Sequence, residues 1–152
     1  ISYIIDKIGG GFKEKIKVIQ VGGPLGGCVP IDILRNLTLD FESFDDGGFL
    51  LGHASFVCIP KWFSAVKYAK HLFEFTAHES CGKCFPCRLG ATRGKEMLKY
   101  AIQDNKKFSK ELMQDLLTTM EDGSLCALGG GLPLPIKNLM QHFPKEFETY
   151  ME

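Results

Sequence analysis

The chain has no surplus of either charge: 18 lysines and arginines balance 18 aspartates and glutamates over 152 residues. A nucleic-acid surface needs a basic excess or stripe to displace counterions from phosphates, so no nucleic-acid partner is expected. Long apolar runs are missing as well. The nearest candidate, Gly47 to Pro60, falls short of the ~18 apolar residues of a membrane span and carries His53 and Cys58, so no direct span is expected. No basic start with a small-residue cleavage site marks a secretion signal. No G-x-G-x-x-G turn follows a strand-like stretch with an acidic residue downstream, which argues against dinucleotide binding by these residues. The first residue is Ile1, inside a periodic apolar pattern, and this is expected of a fragment, a separate cleaved subunit or an incomplete chain.

What the sequence does hold is an ordinary soluble balance, 45% hydrophobic and 24% charged, and a pattern that changes period at its middle. Residues 1–61 read as a small mixed unit. Ile4, Ile5 and Ile8 share one side of a short helix that Gly9-Gly10-Gly11 stops, and Lys15 to Val21 alternates as a strand. Gly22 to Gly27 lacks the Lys-Ser/Thr pair of a phosphate loop and is read as a tight turn. Pro30 opens a helical turn through Leu34, Asp45 to Gly48 reads as a turn, and Phe49 to Ile59 as a strand in which Gly52 permits close backbone approach.

Residues 62–152 switch to a spacing of three and four. A helix is expected from Trp62 to His78, a second from Ala91 to Gln103 with Met97, Leu98, Ala101 and Ile102 inward, and a third behind the N-cap Ser109. Leu112, Leu116, Leu117 and Met120 are expected to line the third helix, with Trp62, Phe63, Phe73, Leu98 and Leu139 also in the core. Gly129-Gly130-Gly131 should break the chain before a fourth helix from Pro135 to Phe143. The fold class expected is α+β, ending in a small helical bundle.

Six cysteines are present, and three fall within seven residues: Cys81, Cys84 and Cys87, spaced C-x2-C-x2-C. Cys126 follows after 38 intervening residues. Three thiolates from one curled loop can cap one side of an iron–sulphur cubane and a remote fourth can close it. Gly82 lets the loop curl, Pro86 stiffens the approach to Cys87, and Lys83 and Arg88 are expected counter-charges for an anionic cluster. A [4Fe–4S] cluster held by Cys81, Cys84, Cys87 and Cys126 is therefore the preferred reading. A zinc site usually pairs one C-x2-C with another, and adjacent C-x2-C steps make poor disulfide partners; both stay open as alternatives. Cys28 and Cys58 are read as core residues, and the clustering of thiols favours a reducing, cytoplasmic compartment. His53, His71, His78 and His142 are read as structural or solvated rather than as ligands.

The stretch Glu79-Ser80-Cys81-Gly82-Lys83-Cys84-Phe85-Pro86-Cys87-Arg88-Leu89-Gly90 resembles a signature of the NADH-binding flavoprotein subunit of respiratory complex I and its relatives in NAD-linked hydrogenases and formate dehydrogenases. Leu125-Cys126-Ala127-Leu128-Gly129 resembles that family's fourth-ligand segment. Gly22-Gly23-Pro24, Gly26-Gly27 and Asp45 to Val57 resemble its soluble-ligand-binding β-grasp domain. The resemblance implies an N-terminally incomplete β-grasp-like domain over 1–61 and an iron–sulphur helical domain over 62–152. It implies Cys81, Cys84, Cys87 and Cys126 as cluster ligands, with FMN and NAD(H) bound only in a part that is absent here. It implies electron relay between that flavin region and other iron–sulphur subunits of a multisubunit redox complex, with no catalysis by this chain alone. Gly52-His53-Ala54-Ser55 and Gly130 to Pro133 depart from the family's pattern. The alternative reading is a non-catalytic docking module stabilised by a metal such as zinc.

Overall fold

The computed structural model describes residues 1–152, which divide into two compact units, Ile1–Phe63 and Ser64–Glu152. The class is mixed α and β, as the change of period implies.

In the first unit a single π-helical turn, Ile4–Ile8, precedes strand β1, Ile16–Val21. β1 is the centre of a three-stranded antiparallel sheet, flanked by β2, Cys28–Pro30, and β3, Phe56–Pro60. Ile19 pairs with Val29 on one side and with Cys58 on the other. Gly22 to Gly27 is the tight β1–β2 turn, closed by the Val21 N–H on the Gly27 carbonyl at 2.9 Å. Ile5, Ile19, Val21, Val29, Leu34, Phe44, Phe49 and Leu51 form the core of this unit.

Two expectations fail here. Asp45 and Asp46 are not in a turn: they end helix α2, Phe41–Asp46, which follows the short α1, Ile31–Leu34. The Asp40 carboxylate caps α2 by accepting the Ser43 N–H at 2.7 Å. The strand expected over 49–59 begins only at Phe56, because Gly52 and Ala54 take positive φ values of 53° and 58° that break an extended run. The close approach at Gly52 is real: a Cβ there would stand 2.8 Å from the Gly22 backbone. His53 therefore lies in a turn, not on a strand.

The second unit is helical. α3 runs Ala65–Glu79, α4 Phe85–Asp104, α5 Lys110–Gly123, α6 Ala127–Gly131, α7 Pro133–His142 and α8 Pro144–Glu148. Hydroxyl caps start two of them: Ser64 accepts the Lys67 N–H at 3.4 Å, and Ser109 accepts the Leu112 N–H at 3.2 Å. The Glu146 carboxylate adds to the α3 start by accepting the Ala65 N–H at 2.7 Å. Phe73, Leu98, Leu117, Met120, Leu132, Ile136, Leu139 and Phe147 are buried together with Met113.

Two glycines set how closely the helices pack. A Cβ at Gly94 would lie 2.2 Å from the Phe73 ring, and one at Gly90 would lie 2.6 Å from Met120. A helix-interior glycine costs about 1 kcal/mol against alanine; close packing of α4 on α3 and α5 offsets it. Three core assignments are corrected. Trp62 precedes α3 and is 75% exposed, its indole N–H donating to Glu14 at 2.9 Å. Leu112 is 48% exposed because Met113, one position on, takes the inward place beside Leu117 and Met120. Cys58 is exposed on β3, whereas Cys28 is buried as expected. Gly129 to Gly131 do not break the chain but complete α6. No helix is long and apolar enough to cross a membrane.

Candidate functional site

The third cysteine of the triplet is not in a loop, and the second sits at the loop's junction with a helix. α4 begins at Phe85, six residues earlier than expected, because Pro86 fits the first turn of a helix without losing a hydrogen bond. Cys84 is its N-cap residue and Cys87 lies in its first turn, where the backbone N–H groups have no partner within the helix. Before it, residues 80–84 curl with Gly82 at φ 76°. Ser80 braces that curl by accepting the Gly82 N–H at 3.3 Å. The Arg88 guanidinium donates to the Gly82 carbonyl at 3.3 Å and lies 4.9 Å over the Phe85 ring. It acts as a strut for the loop; Lys83 is exposed.

Cys126 arrives from the other side. α5 ends at Gly123, where a Cβ would meet the Pro86 ring at 2.9 Å, and Cys126 is the N-cap of α6. Inside α6 a Cβ at Gly129 would stand 2.6 Å from Cys87 Cβ and 2.4 Å from Ser124 Oγ. The 123–129 segment is thus pressed against the start of α4.

The electrostatics show the same meeting. Cys84 makes no oxygen-type capping bond, but the N–H groups of Leu125 and Cys87 and the Ser124 hydroxyl favour its thiolate. They hold Cys84 below the ordinary thiol range, Leu125 contributing most. Burial pushes the Cys87 thiol up; the Ser80 hydroxyl opposes this, and negative charge on Cys84, Cys126 and Cys81 adds to it. The Cys87 thiol thus stands in the field of the other three. They do not converge on a point, for no three His, Cys, Asp or Glu side chains could hold a single metal ion. Cys28, whose thiol burial alone drives far up, and Cys58 lie on the sheet of the other unit. None of the six cysteines is in a disulfide.

Sequence reasoning passed over Ser124, whose hydroxyl oxygen is buried without a nitrogen or oxygen partner. Its one signal is a small polar residue between the Gly123 stop and Cys126. Beside the site, Phe85, Leu89 and Leu125 are 67%, 57% and 79% exposed. Phe85, Pro86, Leu89, Leu116 and Met120 line an apolar groove of about 320 Å³.

The family model described as the NADH-ubiquinone oxidoreductase-F iron-sulfur binding region matches residues 67–150. The chain belongs to this family. The HndC subunit of the NADP-reducing hydrogenase of Solidesulfovibrio fructosivorans is 33% identical over 98% of the chain and 31% of its own length. The mitochondrial NADH-ubiquinone oxidoreductase 51 kDa subunit of Neurospora crassa is 30% identical over 96% of the chain and 30% of its own. The chain therefore spans about a third of the curated relatives it matches. Among solved structures, an NAD+-reducing [NiFe]-hydrogenase in the H2-reduced state superposes with a TM-score of 0.78 at 25% identity, over 91% of this chain and 24% of that one. The NADH-ubiquinone oxidoreductase-F match begins inside α3 and takes in every cysteine of the candidate site.

Proposed function

We propose that this chain is the electron-relaying part of an NAD-linked oxidoreductase, with Cys81, Cys84, Cys87 and Cys126 holding a [4Fe–4S] cluster. The observation that carries the reading is the junction of two distant segments: Cys87 at the α4 start lies in the field of Cys84 and of Cys126, and the α6 start packs against it at Gly129. A cubane offers each thiolate its own iron corner, so its ligands surround a body rather than a point. The donor set fits such a group: four thiols, N–H groups of Leu125 and Cys87 turned to the Cys84 sulphur, and the buried Ser124 hydroxyl with no other partner.

When bound, a [4Fe–4S] cluster supplies one-electron storage. Cys84 contributes a thiolate stabilised chiefly by the Leu125 N–H and then by the Cys87 N–H at the α4 start, where the helix dipole also favours negative charge. Cys87 is buried and limits the access of water, while the exposed Cys81 and Cys126 form the outer rim. Phe85, Leu89 and Leu125, apolar and open to solvent beside that rim, support docking of a partner redox subunit. In this reading FMN and NAD(H) bind outside residues 1–152, and the first unit belongs to a soluble-ligand-binding β-grasp domain. Six free thiols fit a reducing, cytoplasmic setting.

Anaerobic reconstitution tests this. About four iron and four sulphide per chain, with visible absorption that bleaches reversibly on reduction, is the expected result. Cys126→Ala should lose iron or leave a three-iron species. A colourless zinc-loaded protein, or full four-iron content in the Cys126→Ala variant, would defeat the assignment.

A further inference from the structure

We propose that Ser124 and Ser80 are positioning residues that set the reduction potential of this site, each donating its hydroxyl proton to a ligand sulphur at the α4 start, Ser80 to Cys87 and Ser124 into the Cys84–Cys87 pair. The inference rests on the proposed ligand role of those cysteines.

Ser124 is placed by sterics. Its Oγ is buried and makes no hydrogen bond within the chain, and the missing Cβ of Gly129 leaves the space in which Ser124 Oγ and Cys87 Cβ lie side by side, 2.4 and 2.6 Å from where that carbon would be. A buried hydroxyl left without a partner is costly, so a ligand sulphur beside it is its natural acceptor. Ser80 is placed by a relay. Its oxygen accepts the Gly82 N–H at 3.3 Å and stands 3.4 Å from Cys87 Sγ. In the thiol form Cys87 donates to Ser80; as a cluster-bound thiolate Cys87 has no proton and can only accept, so the same contact reverses and the Ser80 O–H donates to the sulphur.

A donor on a thiolate withdraws charge from it. Reduction adds one electron and no bond, and the extra negative charge strengthens each such hydrogen bond, so the reduced state gains more than the oxidised one. Ser124 is the stronger of the two because its hydroxyl is buried and has nothing else to bond, whereas Ser80 divides its oxygen between two neighbours.

The full 152-residue chain, reconstituted anaerobically, serves as the test beside Ser124→Ala, Ser80→Ala and the double variant. Iron and sulphide content, redox titration followed by electron paramagnetic resonance, and resonance Raman spectra are read for each. Ser124→Ala should keep the wild-type metal content and lower the reduction equilibrium constant about tenfold, a midpoint ~59 mV more negative for one electron. Ser80→Ala should shift the same way by less, the double variant by more, and the iron–thiolate stretching frequency should rise in each. Unchanged midpoints in fully loaded single variants would overturn the inference. So would loss of the cluster from both, which would make the serines structural. A wild-type chain that takes up no cluster would defeat the proposed function instead, and is separated from these outcomes by the metal content alone.

Discussion

A single missing carbon does different work at two glycines of the helical unit. At Gly94 a Cβ would first meet the Phe73 ring, and at Gly129 it would first meet Ser124 and Cys87. Gly94→Ala should therefore destabilise the fold by about 1–3 kcal/mol, the usual cost of overpacking, and leave iron content unchanged. Gly129→Ala should push the Cys126 segment off the α4 start and lower iron content by more than half, with a smaller change in stability. Denaturant unfolding and iron analysis on the two variants check the contrast; equal effects on both readouts would contradict it. At this scale the sequence displayed the chemistry better than the geometry. The cysteine spacing pointed to the four thiols, yet Gly123-Ser124-Leu125 does not announce a buried hydroxyl, because its burial depends on packing beside Cys87, far earlier in the chain.

Elements were legible where local chemistry decided them. The Ser109 cap, the β1–β2 glycine turn and the 3–4 spacing of α3 all read correctly from neighbours in sequence. The misreadings share a cause. α2 was hidden because Asp45-Asp46-Gly47-Gly48 looks like a turn, although Asp40, directly before Phe41, is a strong helix cap. The early start of α4 was hidden because cysteines and proline suggested a loop. That early start has a consequence for folding. Cys84 caps α4 and Cys87 lies in its first turn, while its far half is held by buried Met97, Leu98 and Ala101. Anaerobic chelation should then release amide protection over residues 80–90 and 123–131 and reduce it through the near half of α4. Met97 to Ala101 and α3 should stay protected, and hydrogen exchange that is equal in the apo and holo forms would refute the coupling.

At the scale of the molecule, two units of unlike construction share a chain that covers about a third of its curated relatives. The three-stranded sheet carries only Cys28 and Cys58, and the helical unit carries all four thiols of the candidate site. Residues 1–152 hold no Rossmann fingerprint. The isolated chain should accordingly show no NADH oxidation with an artificial acceptor even when reconstituted, and steady-state turnover or tight FMN binding would contradict this. The broad class was readable from the shift in period near residue 60. The packing of that first unit was not, since it turns on positive φ at Gly52 and Ala54.

The splitting of the thiols between the starts of α4 and α6 also bears on the order of synthesis. Cys81, Cys84 and Cys87 leave the ribosome roughly 40 residues ahead of Cys126, which at about 5–20 residues per second is a wait of about 2–8 s. During that interval the nascent chain displays three thiols without their closing partner, and the Leu125 N–H that most favours the Cys84 thiolate has yet to reach it. If these thiols hold the proposed cluster, delivery of iron and sulphide is thereby tied to a moment after α5 has emerged, and iron arriving earlier would find a site with one corner open.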